Sequence, residues 1–191
     1  DASMVGSLGA KASASIGLVS TTIWLFGSLC SSASVGFYVQ VAHRIGAGEW
    51  TEARQVLRQS FISCILFALT LSAIGVFISP FLPYWLGGNE DICNDAITYF
   101  MIFSMCLPFS QLNSLCSGML RCSGNMHVPS ILNVTMCLLD ILFNWILIFP
   151  GHEVFGIFIP GADLGVKGAA LGTALSEVVI GLVMLYAVCI R

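Results

Sequence analysis

Asp140 and Asn144 stand one helical turn apart in residues 129–150 (PSILNVTMCLLDILFNWILIFP), a stretch with no other charge. That spacing puts a carboxylate and an amide on one face of a helix. Thr173 and Glu177 repeat it in a second apolar run, GAALGTALSEVVIGLV, and Asp1 is a third acid on the membrane side. Carboxylate, amide and hydroxyl oxygens suit a hard cation such as Na⁺, while a buried carboxyl suits a proton. If the two runs are neighbours, Asp140, Asn144, Thr173 and Glu177 line one cavity open to either ion. The plainer alternative for Asp140 is a neutral, hydrogen-bonded acid that serves packing alone. A carboxylate near the centre of a span costs about 2.5–3.5 kcal/mol on insertion scales, and such residues usually mark ion or substrate pathways. Glu177 is equally well read as a helix-contact residue.

The elements that must position these groups follow from composition. Hydrophobic residues make up 57% of the 191 and charged residues only 9%, with a mean hydropathy of +0.93. Ordinary soluble domains are about 25% charged, so the chain reads as an all-α polytopic membrane protein whose first partner is the lipid bilayer. Five apolar segments fit: Ile16 to Ala42, Phe61 to Phe81, Ile97 to Leu120, Pro129 to Pro150 and Gly168 to Ile190. Each is long enough to cross a hydrocarbon core of about 30 Å. Residues 1–9 are too short to span and read as the tail of an earlier helix. Asp1 stands where an initiator Met would, so the chain is expected to be a piece of a longer protein.

The breaks between spans carry the orientation. Arg44, Arg54 and Arg58 fall in loop 43–58, Arg121 and His127 in loop 121–128, and Arg191 follows the fifth span. Alternation places all the arginines on one side, which the positive-inside rule makes cytoplasmic. Lys11, Lys167 and the acidic loops with Glu90, Asp91, Asp95, Glu153 and Asp163 fall on the other. Trp50 and Trp85 suit the two interfaces. Residues 151–167 are expected to lie along the outer surface as an interfacial segment.

Several chemistries find no support. A net charge of −3 and seven Lys and Arg leave no basic face for nucleic acid. No phosphate-binding GxxxxGK[ST] loop, HExxH helix or GxSxG turn occurs. Six of the eight cysteines lie in apolar runs as small hydrophobes. Cys93, read as a loop residue, and Cys122 at a span end have no CxxC partner, so neither a structural metal nor a disulfide framework is expected. Ser31, Ser32 and Ser34 read as helix packing, and Gly168 with Gly172 as a GxxxG contact.

Four motifs resemble the multidrug and toxic compound extrusion (MATE) family of transporters. Residues 1–9 (DASMVGSLG) are similar to the end of that family's first helix. Residues 40–54 (QVAHRIGAGEWTEAR) resemble its first inner loop, 120–129 (LRCSGNMHVP) its second, and 164–173 (LGVKGAALGT) the start of its sixth helix. The resemblance implies that residues 1–191 are an N-terminal lobe, helices two to six plus the tail of helix one. A full member has about twelve helices in two lobes, so the C-terminal lobe would be absent here.

By the same resemblance, the expected function is export of amphipathic, often cationic drugs or metabolites against Na⁺ or H⁺, with no other cofactor, from a plasma membrane, with the bacterial inner membrane expected. Asp1 matches the helix-one acid that works with polar residues on helices five and six, and Thr173 matches the family's helix-six threonine. On helix five the family often shows Asn-x-x-x-Asp; here Asp140 and Asn144 stand in the exchanged order. Glu177 falls where an amide is often found. The expected ion and substrate site is therefore Asp1, Asp140, Asn144, Thr173 and Glu177, with Na⁺ a candidate at the first four. Alternatives are a lipid-linked oligosaccharide or lipid flippase of the same superfamily, which calls for a more cationic cavity, or a non-transporting scaffold that dimerises through Gly168–Gly172. An intramembrane enzyme would need a catalytic set that the motifs lack.

Overall fold

The computed structural model describes residues 2–154 and 157–189, and Asp1 lies outside them. A short α1 (Ala2–Gly6) leads into two long helices, α2 (Ala10–Gly46) and α3 (Trp50–Ile78). A single turn, α4 (Leu82–Trp85), precedes α5 (Glu90–Cys122) and α6 (His127–Ile148). A hairpin of β1 (Pro150–Val154) and β2 (Ile157–Ala162) then joins α6 to α7 (Gly165–Cys189). The five helices α2, α3, α5, α6 and α7 are each long and apolar enough to cross a membrane. At about 1.5 Å per residue the shortest, α6, still reaches about 33 Å.

The helices outrun the apolar segments that announced them. The expected loop 43–58 contracts to residues 47–49, because α2 continues to Gly46 and α3 starts at Trp50. A helix once nucleated propagates through polar residues at little cost, and the charges here suit its ends. His43 and Arg44 fall in the last turn of α2, Glu52 in the first turn of α3, and Glu90 and Asp91 in the first turn of α5, each matching the helix dipole. Cys93 is therefore not a loop residue; it lies in α5 and is buried.

Two turns close in the same way. Gly48 (φ 78) and Gly124 (φ 83) adopt the left-handed conformation that side-chain-bearing residues resist. After Gly48 the Glu49 N–H bonds back to the Arg44 carbonyl at 3.0 Å; after Gly124 the Asn125 N–H bonds to Leu120 at 3.0 Å. Both are Schellman closures that satisfy terminal carbonyls. Arg44 then clasps Glu49 and Glu52 at 2.6 and 2.5 Å.

Residues 151–167 contain the one departure from an all-helical chain among the described residues. β1 and β2 pair antiparallel, His152 opposite Ile159 and Val154 opposite Ile157, with an irregularity between Pro150 and His152. Proline at 150 and 160 and β-branched Val154, Ile157 and Ile159 disfavour a helix here.

Chain contacts divide the molecule into two compact units. The first comprises Asp1–Trp24, Ala73–Met105 and Cys137–Ser176. Its core gathers Val5, Ala12, Ile148, Val166 and Ala169. The second comprises Leu25–Ser72, Cys106–Met136 and Glu177–Arg191, with Val41, Cys64, Leu115 and Met119 at its core. Every described arginine belongs to the second unit, whereas the first holds Lys11 and Lys167.

Candidate functional site

In the first unit, Asp140 and Asn144 point the same way from α6, and the Asn144 amide donates to the Asp140 carboxylate at 3.2 Å. Asn144 is 0% exposed and Asp140 half-buried. The amide is held from the other side by α7. A β-carbon at Gly172 would overlap the Asn144 side chain, and one at Gly168 would run into the Leu147 backbone. The Leu164 N–H also bonds to the Leu147 carbonyl at 3.0 Å. The two glycines therefore form a groove filled by α6 of the same chain. This corrects the dimerising-scaffold alternative, whose GxxxG face is already occupied.

That groove packs the first turns of α7 against the end of α6. Thr173 follows Gly172 directly, and its hydroxyl donates to the Ala169 carbonyl at 3.2 Å. Back-bonding of this kind satisfies the hydroxyl proton while leaving lone pairs to accept. Tyr99 of α5 lies within electrostatic reach of Asp140. Sequence reasoning passed over Tyr99, because a tyrosine in an apolar span has no distinguishing pattern. Around Asp140 the first unit thus brings the Asn144 amide and the Tyr99 phenol, while Thr173 lies next to the Gly172 that packs on Asn144.

Glu177 belongs to the second unit, where its carboxylate accepts a hydrogen bond from Ser110 of α5 at 3.3 Å. Next to Ser110, Gln111 is 1% exposed and donates to Ser34 of α2 at 2.9 Å. Its other amide atom, Oε1, has no partner among the described residues. Ser34 alone of the serines 31, 32 and 34 is buried. Sequence reasoning missed Ser110, Gln111 and Asn113, although the polar run SQLNS in an otherwise apolar span was the available signal.

The second unit also holds two cavities. One of about 470 Å³ is walled by Tyr38, Asn113, Ser117, Arg121 and Asn133, and one of about 640 Å³ by Arg54, Leu57, Met119 and Val188, among others. Neither wall includes Asp140, Asn144, Thr173 or Glu177.

The chain's likeness to known proteins points one way. The family model MatE matches residues 1–146. The probable multidrug resistance protein NorM of Thermotoga maritima is 28% identical over 180 residues, which are 94% of this chain and 37% of that protein. Human multidrug and toxin extrusion protein 1 is 30% identical over 100 residues, 52% of this chain and 18% of that protein. Among solved structures, the outward-facing conformation of a multidrug resistance MATE family transporter of the MOP superfamily superposes with a TM-score of 0.85 at 25% identity. It matches 97% of this chain, which covers 39% of that one. A MOP superfamily transporter from Pyrococcus furiosus, described as having a binding pocket of reverse polarity that suggests a different function, gives the same TM-score and identity, with 97% and 38% covered. The chain spans well under half the length of each. With its family model matched over most of its residues and its fold shared with these transporters, the chain belongs to the MatE family, the multidrug and toxic compound extrusion transporters.

Proposed function

We propose that this chain is the N-terminal lobe of a cation-coupled exporter of amphipathic, often cationic compounds, working by alternating access with a second lobe. The observation that carries this reading is the bonded Asp140–Asn144 pair, seated at membrane depth against the Gly168–Gly172 groove. A carboxyl there changes the charge of its surroundings when it takes up H⁺ or coordinates Na⁺. A change of that kind biases a two-state transporter only by its differential free energy in the two states. Thr173 and Asp1 complete the proposed ion site, Asp1 by its match to the family's helix-one acid. Loops 43–58 and 121–128 face the cytoplasm of a plasma membrane in this reading, supported by the arginines that the second unit collects. The flippase alternative receives less support, since no Lys or Arg is buried among the described residues to meet an anionic headgroup.

The test is flux by the full-length protein in proteoliposomes. An imposed Na⁺ or H⁺ gradient is expected to drive a fluorescent amphipathic cation uphill. Absence of such flux, together with translocation of a lipid-linked sugar analogue, would replace this reading with the flippase.

A further inference from the structure

Glu177 stands at a junction between two helices of the second unit. The Ser110 hydroxyl joins α5 to α7 by donating to the Glu177 carboxylate across 67 residues of chain. Ser110 lies two residues beyond Pro108, the proline inside α5. Proline has no N–H to give, so the helix ladder has a gap there that neighbouring groups must offset. One turn past Glu177, Gly181 brings α7 against the backbone of α5. A β-carbon at Gly181 would stand 3.3 Å from the Phe109 carbonyl oxygen. The acid thus sits one turn from a close approach of two helices, beside the weakened turn of one of them.

Two thiols of the second unit face Glu177 from other helices. Cys30 of α2 and Cys106 of α5 both lie within its electrostatic reach, and Cys64 of α3 faces Cys30. The hydroxyl of Ser110 can serve either protonation state. It donates to a carboxylate and accepts from a carboxylic acid by rotating about one bond. A charged carboxyl at membrane depth is costly, and a proton removes that cost.

We propose that Glu177 is a proton-binding carboxyl of the second unit and that its protonation reverses the Ser110 hydrogen bond at the α5–α7 junction. The proton adds to the carboxylate oxygen, and the resulting O–H donates to Ser110 Oγ in place of the original bond. Proton binding at this site stands independently; its use in export rests on the transporter reading above.

The test is pH-titrated infrared difference spectroscopy on the full-length protein in lipid vesicles. One protonated-carboxyl band should vanish in Glu177→Gln, shift in frequency and midpoint in Ser110→Ala, and persist in Asp140→Asn. A set of carboxyl bands identical in the native protein and Glu177→Gln would overturn the proposal. So would a band insensitive to Ser110→Ala, a variant that keeps the acid and serves if Glu177→Gln does not fold. Loss of gradient-driven flux with the Glu177 band intact would sink the transporter reading and leave the proton site standing.

Discussion

Asp140 reaches its partner within one turn of α6, whereas Glu177 reaches its partner on α5, 67 residues away. The first arrangement is rigid by covalent spacing and is clamped from outside by two glycines. The second depends on two helices holding their places beside a proline. A carboxyl held within one helix can change charge with little movement of its support. One held between helices moves the junction when its hydrogen bond changes. In the proposed reading Asp140 therefore serves ion coupling and Glu177 a conformational role.

The largest expected effect comes from breaking the clamp without touching a polar group. Gly168→Ala puts a β-carbon into the Leu147 backbone, which cannot yield as a side-chain tip can. Overpacking of this kind costs about 1–3 kcal/mol or more. The full-length protein should lose several degrees of thermal stability in detergent, and ion-driven flux should fall although Asp140 and Asn144 remain. Gly181→Ala, whose new β-carbon meets Phe109 at 3.3 Å, should cost clearly less.

An asymmetry in the second unit sharpens the contrast. Ser34→Ala removes the oxygen acceptor of the buried Gln111 amide and leaves it only the Cys64 sulfur, a loss toward the lower end of the about 1–3 kcal/mol that an unsatisfied buried donor costs. Gln111→Met removes the bond together with the Oε1 that has no partner among the described residues, so it should cost less than Ser34→Ala in the same unfolding measurement. Equal losses would mean that Gln111 matters for its shape and not its bond. The smallest effect is expected at the α2–α3 turn. Arg44→Ala breaks two exposed ion pairs, and surface pairs contribute little, so the melting temperature should move by under about 2 °C.

What could be read in the sequence divides along the same line as the two acids. The Asp140–Asn144 bond and the shared face of Thr173 and Glu177 follow from helical periodicity, which needs no knowledge of neighbours. The five spans follow from runs of apolar residues, though their ends do not. The stretch around Arg44 and Glu49 is polar yet helical almost throughout, because hydropathy marks what lies in lipid and not where a helix stops. The Ser110–Glu177 and Gln111–Ser34 contacts were out of reach, since they depend on which helices pack together. The Gly168–Gly172 motif was visible, but its occupant was not, and α6 fills the groove that a second copy was imagined to use. The segment after α6, expected along the outer surface, contains a hairpin whose pairing depends on register and not on composition.

The central claim, that Asp140 couples ion binding to export, is met most directly by two flux measurements on one variant. Full-length Asp140→Asn in proteoliposomes should still exchange substrate down its own gradient, since the amide keeps the shape of the α6 face. Its uphill flux under an imposed Na⁺ or H⁺ gradient should fall by at least about tenfold, the loss of an interaction worth about 1.4 kcal/mol or more in the driven step. Uphill flux at the native level, with the same ion dependence, would contradict the account.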